Sequence, residues 1–519
     1  MEGHSRKGKD VTSDIFIIGG GINGCGIARD AAGRGLSVTL AEQGDLAQAT
    51  SSASTKLFHG GLRYLEFLEI RLVREALRER EVLLRAMPHI ARPMRFVLPL
   101  DPDMRFESDT PVSRMLARVM PWARGRRPAA LIRAGLFLYD HLGGRRILPG
   151  TTALDLRRAP EGAPLQDRLA RAYEYSDVWV DDARLVALNA RDAAQRGAQV
   201  LTRARVTQAR RRDGLWHVTL HDGRTYRARA LVNAAGPWIG NVIHDVIDLP
   251  TRQSVRLVRG SHIVVPRLFD HDKAYFFQGP DGRIIFAIPW QGDLTLIGTT
   301  DQDHPDASAP PTCTPEEQQY LCDFASRYFK RPVTRDQIVW TYSGVRPLYD
   351  DGASSATAAT RDYTLALDQG GDGAPCLNIF GGKITTYRRL AEHALEKLAP
   401  FFPAARPAWT AGVPLPGGDF AVDGLDRLAQ ELQERHAITP AHALRMVRAY
   451  GTDARTILDA PQGRDFGATL SEAELRWMVR HEFACSGEDA LWRRSKLGLR
   501  LDEAQAQAVD GWMRESAAG

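Results

Sequence analysis

The chain has 519 residues, of which 44% are hydrophobic and 25% are charged, and its formal net charge is +5. These proportions are those of a globular protein with a large core, so they exclude a largely disordered chain. At roughly 150 residues per domain, the length allows two to four domains. So small a net charge argues against a dedicated nucleic-acid-binding protein, and we expect no nucleic-acid partner.

Residues near the N-terminus have the pattern of a strand, a helix and a second strand. The apolar run 15–18 predicts a strand covered on both faces, and the alanine-rich segment that follows predicts a helix. Between them lies a GxGxxG motif whose glycines are Gly19, Gly21 and Gly24. Residues 36–40 predict the second strand. This combination is typical of a dinucleotide-binding unit.

Each part of this unit has a physical task. Gly19 permits a tight turn, Gly21 lets a pyrophosphate approach the backbone, and Gly24 lets the helix pack on the strand. Asn23 lies in the same turn, where the helix N-terminus faces the phosphates. Glu42 follows the second strand, where its carboxylate can accept hydrogen bonds from an adenosine ribose and disfavours NADP. The unit alone does not distinguish NAD from FAD.

A hydroxyl-rich loop at residues 50–56 runs into the sequence LFHGGLRY at residues 57–64. Such a stretch suits contacts to a second phosphate and to an extended cofactor, although a polar surface loop is the alternative. The cofactor-binding residues predicted here are Ser51, Ser52, Ser54, Lys56, His59, Gly60 and Gly61.

Further along the chain, apolar periodicity predicts more elements of the same region. A strand at 177–181, a helix at 183–196 and a strand at 199–206 predict a second crossover unit that feeds the same sheet. Runs at 216–220 and 226–232 predict a hairpin, because an Asp-Gly pair lies between them.

Small residues follow this hairpin. Ala235 and Gly236 allow a ligand to approach the backbone closely, and a structural turn explains them equally well. Four alternating runs beyond them predict an antiparallel sheet that faces the substrate. They are residues 255–265, 274–278, 283–290 and 294–300.

Near residue 380, a strand turns into a helix through the sequence FGGKITT. The helix N-terminus and Lys383 are suited to stabilise the negative charge of a reduced flavin, and an ordinary helix start is the alternative. Predicted cofactor contacts are Gly382, Lys383, Ile384 and Thr385.

Together these segments resemble the FAD-dependent glycerol-3-phosphate dehydrogenases, respiratory enzymes of the D-amino-acid-oxidase-like flavoproteins. The resemblance runs almost from end to end. It implies that FAD is the cofactor and that sn-glycerol 3-phosphate is oxidised to dihydroxyacetone phosphate, with electrons passing to membrane quinone. The segments that carry the resemblance are IIGGGINGCGIARDAAGRGLSV, SSASTKLFHGGLRYLE, EYSDVWVDDARLV, LVNAAGPW, RGSHIVVP, IVWTYSGVRPL, TRDYTL, FGGKITTYRRLAEHALEKL and DALWRRSKLGL.

The predicted fold class is α/β, with three parts. A Rossmann-like FAD-binding domain and an antiparallel-sheet substrate domain, together D-amino-acid-oxidase-like, occupy residues 14–400. A linker rich in proline and glycine covers 401–418, and an all-helical C-terminal domain covers 419–519. We expect the FAD-binding parts at about 14–90, 150–240 and 340–400, and the substrate-domain parts at about 91–149 and 241–339.

Oxidation of a secondary alcohol needs a base near the hydroxyl group, and histidine accepts a proton at neutral pH. His59 and His262 lie in segments that match the family, and a structural role is the alternative for each. His262 is slightly favoured by its place on the predicted substrate sheet. Lys383 is assigned either to flavin electrostatics or to the substrate phosphate, and both roles stay open.

A phosphate dianion prefers the planar, bidentate donors of arginine. The family resemblance implies that Arg346 and Arg361 bind the substrate phosphate, and that Arg63 and Tyr64 line the same pocket. We predict no metal site, because the sequence has no HExxH, CxxC or comparable cluster.

A basic stretch at residues 113–146 holds eight arginines and one acidic residue, with apolar side chains between them. This composition is typical of a surface that binds anionic lipid, and a solvated basic loop over a packed helix is the alternative. Five cysteines without a CxxC pair indicate a reducing compartment. We therefore expect a cytoplasmic enzyme, peripherally bound to the cytoplasmic face of the inner membrane. A homodimer is also expected, although neither of these features indicates it.

Three other functions stay open. On the same scaffold, an oxidase would pass the electrons to oxygen and release hydrogen peroxide. A related enzyme would act on a 2-hydroxy acid or an amine, although an arginine pair suits phosphate better. A flavin-binding regulatory protein without turnover would fit poorly with the histidine and arginine segments.

Overall fold

The computed structural model describes most of the chain. The described residues are 12–104, 110–119, 128–251, 253–280, 282–350, 362–370 and 373–518. The strands are β1 (Thr12–Ile18), β2 (Val38–Ala41), β3 (Leu57–Phe58), β4 (Ala91–Pro99), β5 (Thr152–Asp155), β6 (Arg171–Val180), β7 (Gln199–Leu201), β8 (Val206–Arg212), β9 (Leu215–Leu220), β10 (Thr225–Asn233), β11 (Val255–Pro266), β12 (Ala274–Gln278), β13 (Ile284–Trp290), β14 (Leu294–Gly298), β15 (Gln302–Asp303), β16 (Trp340–Tyr349), β17 (Thr364–Asp368) and β18 (Cys376–Phe380).

The helices alternate with these strands and then fill the C-terminal region. They are α1 (Ile22–Gly33), α2 (Ile70–Ala86), α3 (Pro111–Val119), α4 (Ala129–Leu142), α5 (Asp182–Gln195), α6 (Ile239–Asn241), α7 (Pro315–Ser326), α8 (Tyr387–Leu398), α9 (Leu425–His436), α10 (Pro440–Tyr450), α11 (Ala454–Asp459), α12 (Glu472–Glu482) and α13 (Glu503–Ala518). Two π-helical segments cover Val242–Ile247 and Asp489–Ser495.

The first of two sheets is built around the strand that precedes the glycine motif. Its strand order is β17-β18-β10-β1-β2-β7, and β1 lies parallel to both β10 and β2. β9 pairs with β10 and β8 pairs with β9, both antiparallel. The predicted strand–helix–strand unit and the hairpin are both present, since their signals are local. This sheet is the Rossmann-like part of the predicted fold.

The second sheet is mostly antiparallel. Its order is β15-β11-β14-β13-β12-β4-β6-β3, with β16 paired to β11 and β5 paired to β6. Only β12 and β4 pair in parallel among its described strands. The four alternating runs predicted beyond residue 254 form β11, β12, β13 and β14, so the α/β fold class is confirmed.

One predicted connection is wrong. The strand expected at 177–181 is the end of β6, which pairs with β4 in the second sheet, whereas β7 belongs to the first sheet. Helix α5 therefore connects the two sheets and does not close a crossover within one. A strand that is apolar on both faces carries no label for its partner, because strand pairing depends on distant chain segments. Residues 340–349, grouped above with the FAD-binding parts, likewise supply β16 to the second sheet.

Helices α1, α5 and α8 pack on the first sheet around one apolar core. Ile17 in β1, Ala28 in α1, Leu188 in α5 and Leu395 in α8 belong to this core and are buried. The apolar side chains of α8 lie on the face that packs against this core. These three helices pack beside the ends of β1 and β18, where the segments predicted to bind the cofactor begin.

The C-terminal helices form their own core but are joined to the rest by buried charges. Asp45, which follows β2, accepts hydrogen bonds from Arg494 at 2.7 and 2.8 Å, and Arg493 contacts the same carboxylate at 2.5 Å. Arg203 reaches Asp489 at 2.6 Å. The helical region is therefore attached at the edge of the first sheet that carries β2 and β7.

Candidate active site

The glycine turn between β1 and α1 has a backbone that other residues would not tolerate. Gly19 has φ +112°, and a Cβ atom there would lie 2.5 Å from the carbonyl oxygen of Ala234. A Cβ atom on Gly24 would lie 1.9 Å from the carbonyl oxygen of Gly19. Glycine is required at both positions so that the helix can begin directly beneath the strand end.

Helix α1 begins without a side-chain cap. Gly21 is its N-cap residue, no side chain bonds to the cap, and the first turn contains no acidic residue. The amide of Ile22 donates a hydrogen bond of 3.0 Å to Oγ of Ser51. The positive end of the helix is therefore not neutralised by the helix itself, which suits an anionic pyrophosphate.

Glu42 lies beside the same turn. Its Oε2 accepts a hydrogen bond from the amide of Gly20 at 2.6 Å, and its Oε1 accepts one from Gly44 at 2.9 Å. Burial raises the pKa of this carboxyl, while the two amides act in the lowering direction. Each carboxylate oxygen has a second lone pair, so the group can still accept bonds from a ribose.

The loop at residues 50–56 connects the glycine turn to the second sheet. Beyond the bond from Ser51 to the start of α1, Thr50 donates from Oγ1 to the carbonyl of Val345 at 2.5 Å. Tyr342 donates from its hydroxyl to the carbonyl of Ser54 at 2.8 Å. A ligand that begins at the glycine turn would meet the second sheet along this loop.

Two predicted cofactor residues of this loop are engaged by a carboxylate that sequence reasoning missed. Lys56 is 1% exposed, and its Nζ lies 2.7 Å from Oδ1 of Asp182. Ser54 donates to the other oxygen of Asp182 from both its amide and its hydroxyl, at 3.1 and 2.7 Å. Ser52 donates to the carbonyl of Ala49 at 3.3 Å. The signal for Asp182 was its place directly after an apolar strand.

The glycine turn at residues 19–24 and the loop at residues 50–56 form one continuous track, which we assign to the flavin cofactor below. The turn at 381–386 meets this track from the other side. Asn23 donates from Nδ2 to the carbonyl of Gly381 at 3.2 Å, and the Oδ1 atom of Asn23 is buried with no hydrogen-bond partner among the described residues. Gly382 has φ +101°, and a Cβ atom there would lie 3.0 Å from Nδ2 of Asn23. Gly236 has φ +57°, and its Cβ position is open. An unpartnered acceptor and two bare glycines fit a bound cofactor.

Segments 57–64 and 383–385 meet at the far end of this track. The amide of His59 donates to Oγ1 of Thr385 at 3.4 Å, and Nζ of Lys383 lies 4.1 Å from the ring centre of Tyr64. The guanidinium of Arg63 lies 5.8 Å from the ring centre of Phe67. Two regions more than 300 residues apart in sequence thus form one wall.

The two candidate histidines have different surroundings. His262 is 2% exposed, its Nε2 lies 3.0 Å from Oγ1 of Thr55, and its ring stacks on Tyr342 at 4.6 Å. Burial, followed by the charges of Lys56 and Arg346, holds the pKa of His262 well below its usual value. His59 is only half-buried, with its ring 6.4 Å from that of Phe286. The geometry therefore favours His59 for contact with a ligand, against our preference for His262.

Of the two arginines expected to bind phosphate, the structure describes only Arg346. Arg346 is half-buried, and its Nη2 lies 2.7 Å from the carbonyl of Thr300 and 2.7 Å from Oδ1 of Asp301. Arg361 lies outside the described residues. Across the described ranges, no group of three or more His, Cys, Asp or Glu side chains is arranged to hold a metal ion.

Comparisons with known proteins show which family of proteins this chain is similar to. A family model described as FAD dependent oxidoreductase matches residues 14–388, and one described as the C-terminal domain of alpha-glycerophosphate oxidase matches residues 408–517. The D-erythritol 1-phosphate dehydrogenase of Brucella abortus is 49% identical over 512 residues, which are 96% of this chain and 97% of that protein. The aerobic glycerol-3-phosphate dehydrogenase of Escherichia coli is 48% identical over 516 residues, which are 97% and 98% of the two chains.

A solved structure is also similar over nearly the whole chain. The glycerol-3-phosphate dehydrogenase from Bacillus halodurans, crystallised with FAD, has a TM-score of 0.74 at 26% identity. The match covers 98% of this chain and 91% of that one.

Proposed function

The chain belongs to the family of FAD-dependent glycerol-3-phosphate dehydrogenases, and from that premise we propose that it oxidises sn-glycerol 3-phosphate to dihydroxyacetone phosphate. FAD, when bound, accepts the hydride that leaves the carbinol carbon. The observation that carries the proposal is that segment 57–64, with His59 and Tyr64, meets the turn that contains Lys383 at the end of the track that begins at the glycine turn. Cations, a half-buried imidazole and a dinucleotide track are the groups that this reaction needs.

We assign the cofactor to the residues along the track. The amides at the start of α1 and the hydroxyl of Ser51 suit the pyrophosphate, and Glu42 suits the adenosine ribose. Ala235 and Gly236 follow β10, next to the glycine turn, where small residues leave room for the ligand. The isoalloxazine would then lie along the 59–61 segment and the turn that contains Lys383.

In this arrangement the protein binds and orients the substrate and moves one proton. Arg346 and Lys383 provide positive charge for the phosphate, and the half-buried imidazole of His59 accepts the hydroxyl proton. His262 is enclosed and bonded to Thr55, so we assign it to holding the 50–56 loop on β11. Arg361 stays proposed as a second phosphate ligand.

Anaerobic titration of the flavin-loaded protein tests the reaction. We expect sn-glycerol 3-phosphate to bleach the bound flavin, and glycerol to leave it oxidised. D-erythritol 1-phosphate belongs in the series because one relative is named for it. Bleaching by unphosphorylated polyols at the same concentrations, or by none of these compounds, would contradict the proposal.

The electron acceptor is a separate proposal. We assign it to a membrane quinone, on the family resemblance, and the alternative is direct reduction of oxygen. Turnover in air with and without a soluble quinone analogue separates the two, because an oxidase releases stoichiometric hydrogen peroxide in both cases. If the hydrogen peroxide released equals the substrate consumed, oxygen is the electron acceptor and the protein is an oxidase.

Membrane binding is proposed from a surface that we call the α3–α4 face. Large apolar side chains here are 37–61% exposed, and they are five of the six such side chains among the described residues. They are Leu68, Ile70, Met115, Phe137 and Leu138. Exposed apolar groups next to arginines suit an anionic lipid surface.

The charges of this face support the same occupant. Arg114, Arg118 and Arg133 are exposed on α3 and α4. The single acidic residue of the stretch, Asp140, is buried, and it accepts a hydrogen bond from the amide of Thr151 at 2.8 Å. On the described part of the chain, no helix combines the length and apolar character that crossing a bilayer requires.

The expected homodimer is likewise a proposal, which sedimentation of the flavin-loaded chain tests.

A further inference from the structure

A buried polar group lies directly behind the segment that carries His59. The amide of Gly60 donates a hydrogen bond of 2.7 Å to the hydroxyl oxygen of Tyr139, which belongs to α4. That hydroxyl donates in turn to Asp177 in β6, with 2.8 Å to each carboxylate oxygen. Sequence reasoning gave Tyr139 and Asp177 no role.

The carboxylate has a fixed counter-charge. Nη1 of Arg80, in α2, lies 2.5 Å from Oδ1 of Asp177 and donates to the carbonyl of Ser176 at 2.8 Å. Its guanidinium carbon is 5.2 Å from the ring centre of Tyr139. All three residues of this set are 2% exposed or less.

Burying these polar and charged side chains does little to stabilise the folded state. A buried ion pair stabilises a fold little compared with apolar side chains of similar volume, because both charges lose their hydration. What this set supplies is an oriented acceptor. Burial raises the pKa of Tyr139 well above its usual value, so the phenol keeps its proton. Asp177 accepts a hydrogen bond from that hydroxyl, and a phenol lone pair is left facing the Gly60 amide.

The backbone around His59 is held on both sides. On one side its own amide is bonded to Thr385, and on the other the next amide is bonded to Tyr139. A Cβ atom on Gly60 would lie 2.5 Å from Leu77 and 2.8 Å from the ring of Tyr139, so the chain is pressed against α2 and α4. Gly61 has φ +71° and turns the chain away.

We propose that Tyr139, oriented by Asp177 and Arg80, is a positioning residue for His59. It holds the backbone of His59 so that the imidazole faces the substrate carbinol, and it does not touch the substrate itself. This role rests on the proposed function, in which His59 accepts the substrate proton. Loss of the phenol oxygen leaves the fold and the glycine turn that we assign to the pyrophosphate in place, but lets the 59–61 segment shift.

The test is Tyr139→Phe, compared with Tyr275→Phe as a matched control. Tyr275 is fully buried and donates from its hydroxyl to the carbonyl of Glu161 at 2.6 Å, but it lies in the core of the second sheet away from the 57–64 segment. We expect Tyr139→Phe to lower kcat by about tenfold or more, with KM and flavin content nearly unchanged. Tyr275→Phe should leave kcat within about twofold.

A double-mutant cycle with His59→Asn shows whether Tyr139 acts through His59. If it does, Tyr139→Phe has almost no further effect on kcat in the His59→Asn background. Full additivity, an unchanged kcat, or an equal fall in Tyr275→Phe would overturn the role. An unchanged kcat in His59→Asn alone would instead overturn the proposed function. If Tyr139→Phe is recovered without flavin, all variants of the cycle are made again in a Gly135→Ala background. This substitution should stabilise α4, because the added Cβ atom meets nothing within 4 Å and alanine favours a helix over glycine.

Discussion

Arg184 and Glu482 form a fully buried ion pair between α5 and α12, although 298 residues separate them in sequence. Nη2 of the arginine lies 2.8 Å from Oε1 of the carboxylate, and Nη1 contacts the other oxygen. The side chains are 2% and 0% exposed. The helix that connects the two sheets is thus attached directly to the C-terminal helices.

Breaking this pair from one side should destabilise the protein. Glu482→Ala leaves a buried guanidinium without its counter-charge, which costs about 3–5 kcal/mol of unfolding free energy. Urea unfolding measures the change. Glu431→Ala is the control, because Glu431 and Arg455 are 43% and 39% exposed and such a pair contributes at most about 1 kcal/mol. Equal losses in the two variants would contradict the assignment.

Gly24→Ala should abolish flavin binding. Its Cβ atom would lie 1.9 Å from the carbonyl oxygen of Gly19, so the start of α1 must move away from the turn that we assign to the pyrophosphate. The ratio of bound flavin to protein after gel filtration is the measurement. Gly135→Ala, in α4, has open space for its Cβ and should retain full flavin. A Gly24→Ala protein with normal flavin content would contradict the assignment of the glycine turn to the pyrophosphate.

Arg346→Ala should weaken substrate binding and leave the flavin in place. Loss of charge-assisted hydrogen bonds to a phosphate costs roughly 1.5–3 kcal/mol, so we expect KM to rise about 10- to 100-fold. Steady-state kinetics and the flavin spectrum measure the two effects. Arg256→Ala is the control, since Arg256 also lies on the second sheet and, like Arg346, pairs with an aspartate, Asp303 at 2.8 Å, but we assign it no contact with the substrate. An unchanged KM removes Arg346 from the site.

His89 predicts how stability depends on pH. It is fully buried, and burial, followed by the charges of Arg184 and Arg191, lowers its pKa from 6.5 to about 3. Below pH 6.5 the unfolded chain binds a proton that the folded chain does not, so this contribution is present above pH 6.5 and is lost as the pH falls towards 3. The slope from this residue is up to about 1.4 kcal/mol per pH unit.

His89→Phe should flatten that slope. Urea unfolding between pH 7 and pH 5 measures it, and the same change at the exposed His221 should leave the slope of the parent protein. An identical slope in all three proteins would show that folding does not lower the pKa of His89.

The α3–α4 face predicts salt-sensitive binding to anionic vesicles. Each arginine near such a surface contributes about 1 kcal/mol, so changing Arg114, Arg118, Arg133 and Arg146 to serine should weaken binding by roughly 100- to 1000-fold at low salt. Co-sedimentation with vesicles containing phosphatidylglycerol is the measurement. The control variant carries four serines in place of exposed arginines elsewhere on the chain, at Arg158, Arg224, Arg435 and Arg514. Equal binding by the two variants would count against this face.

Much of the fold could be predicted because its signals are local. The glycine motif lies within one turn, an Asp-Gly pair marks the hairpin, and alternation over a few residues marks β11, β12, β13 and β14 of the second sheet. The partner of β6 could not be predicted, since its apolar run fits either sheet equally well. Among the site residues, Tyr139 and Asp182 carry no motif, and their importance comes from what faces them.

The amino-acid sequence by itself determined that a dinucleotide site follows β1 and that the C-terminal region is helical, because glycine spacing and helical periodicity act within one element. Only the tertiary structure decided that His262 is enclosed while His59 stays accessible, and that Tyr139 lies behind His59. Burial and hydrogen-bond partners depend on segments that are hundreds of residues apart, and no local pattern records which of them meet.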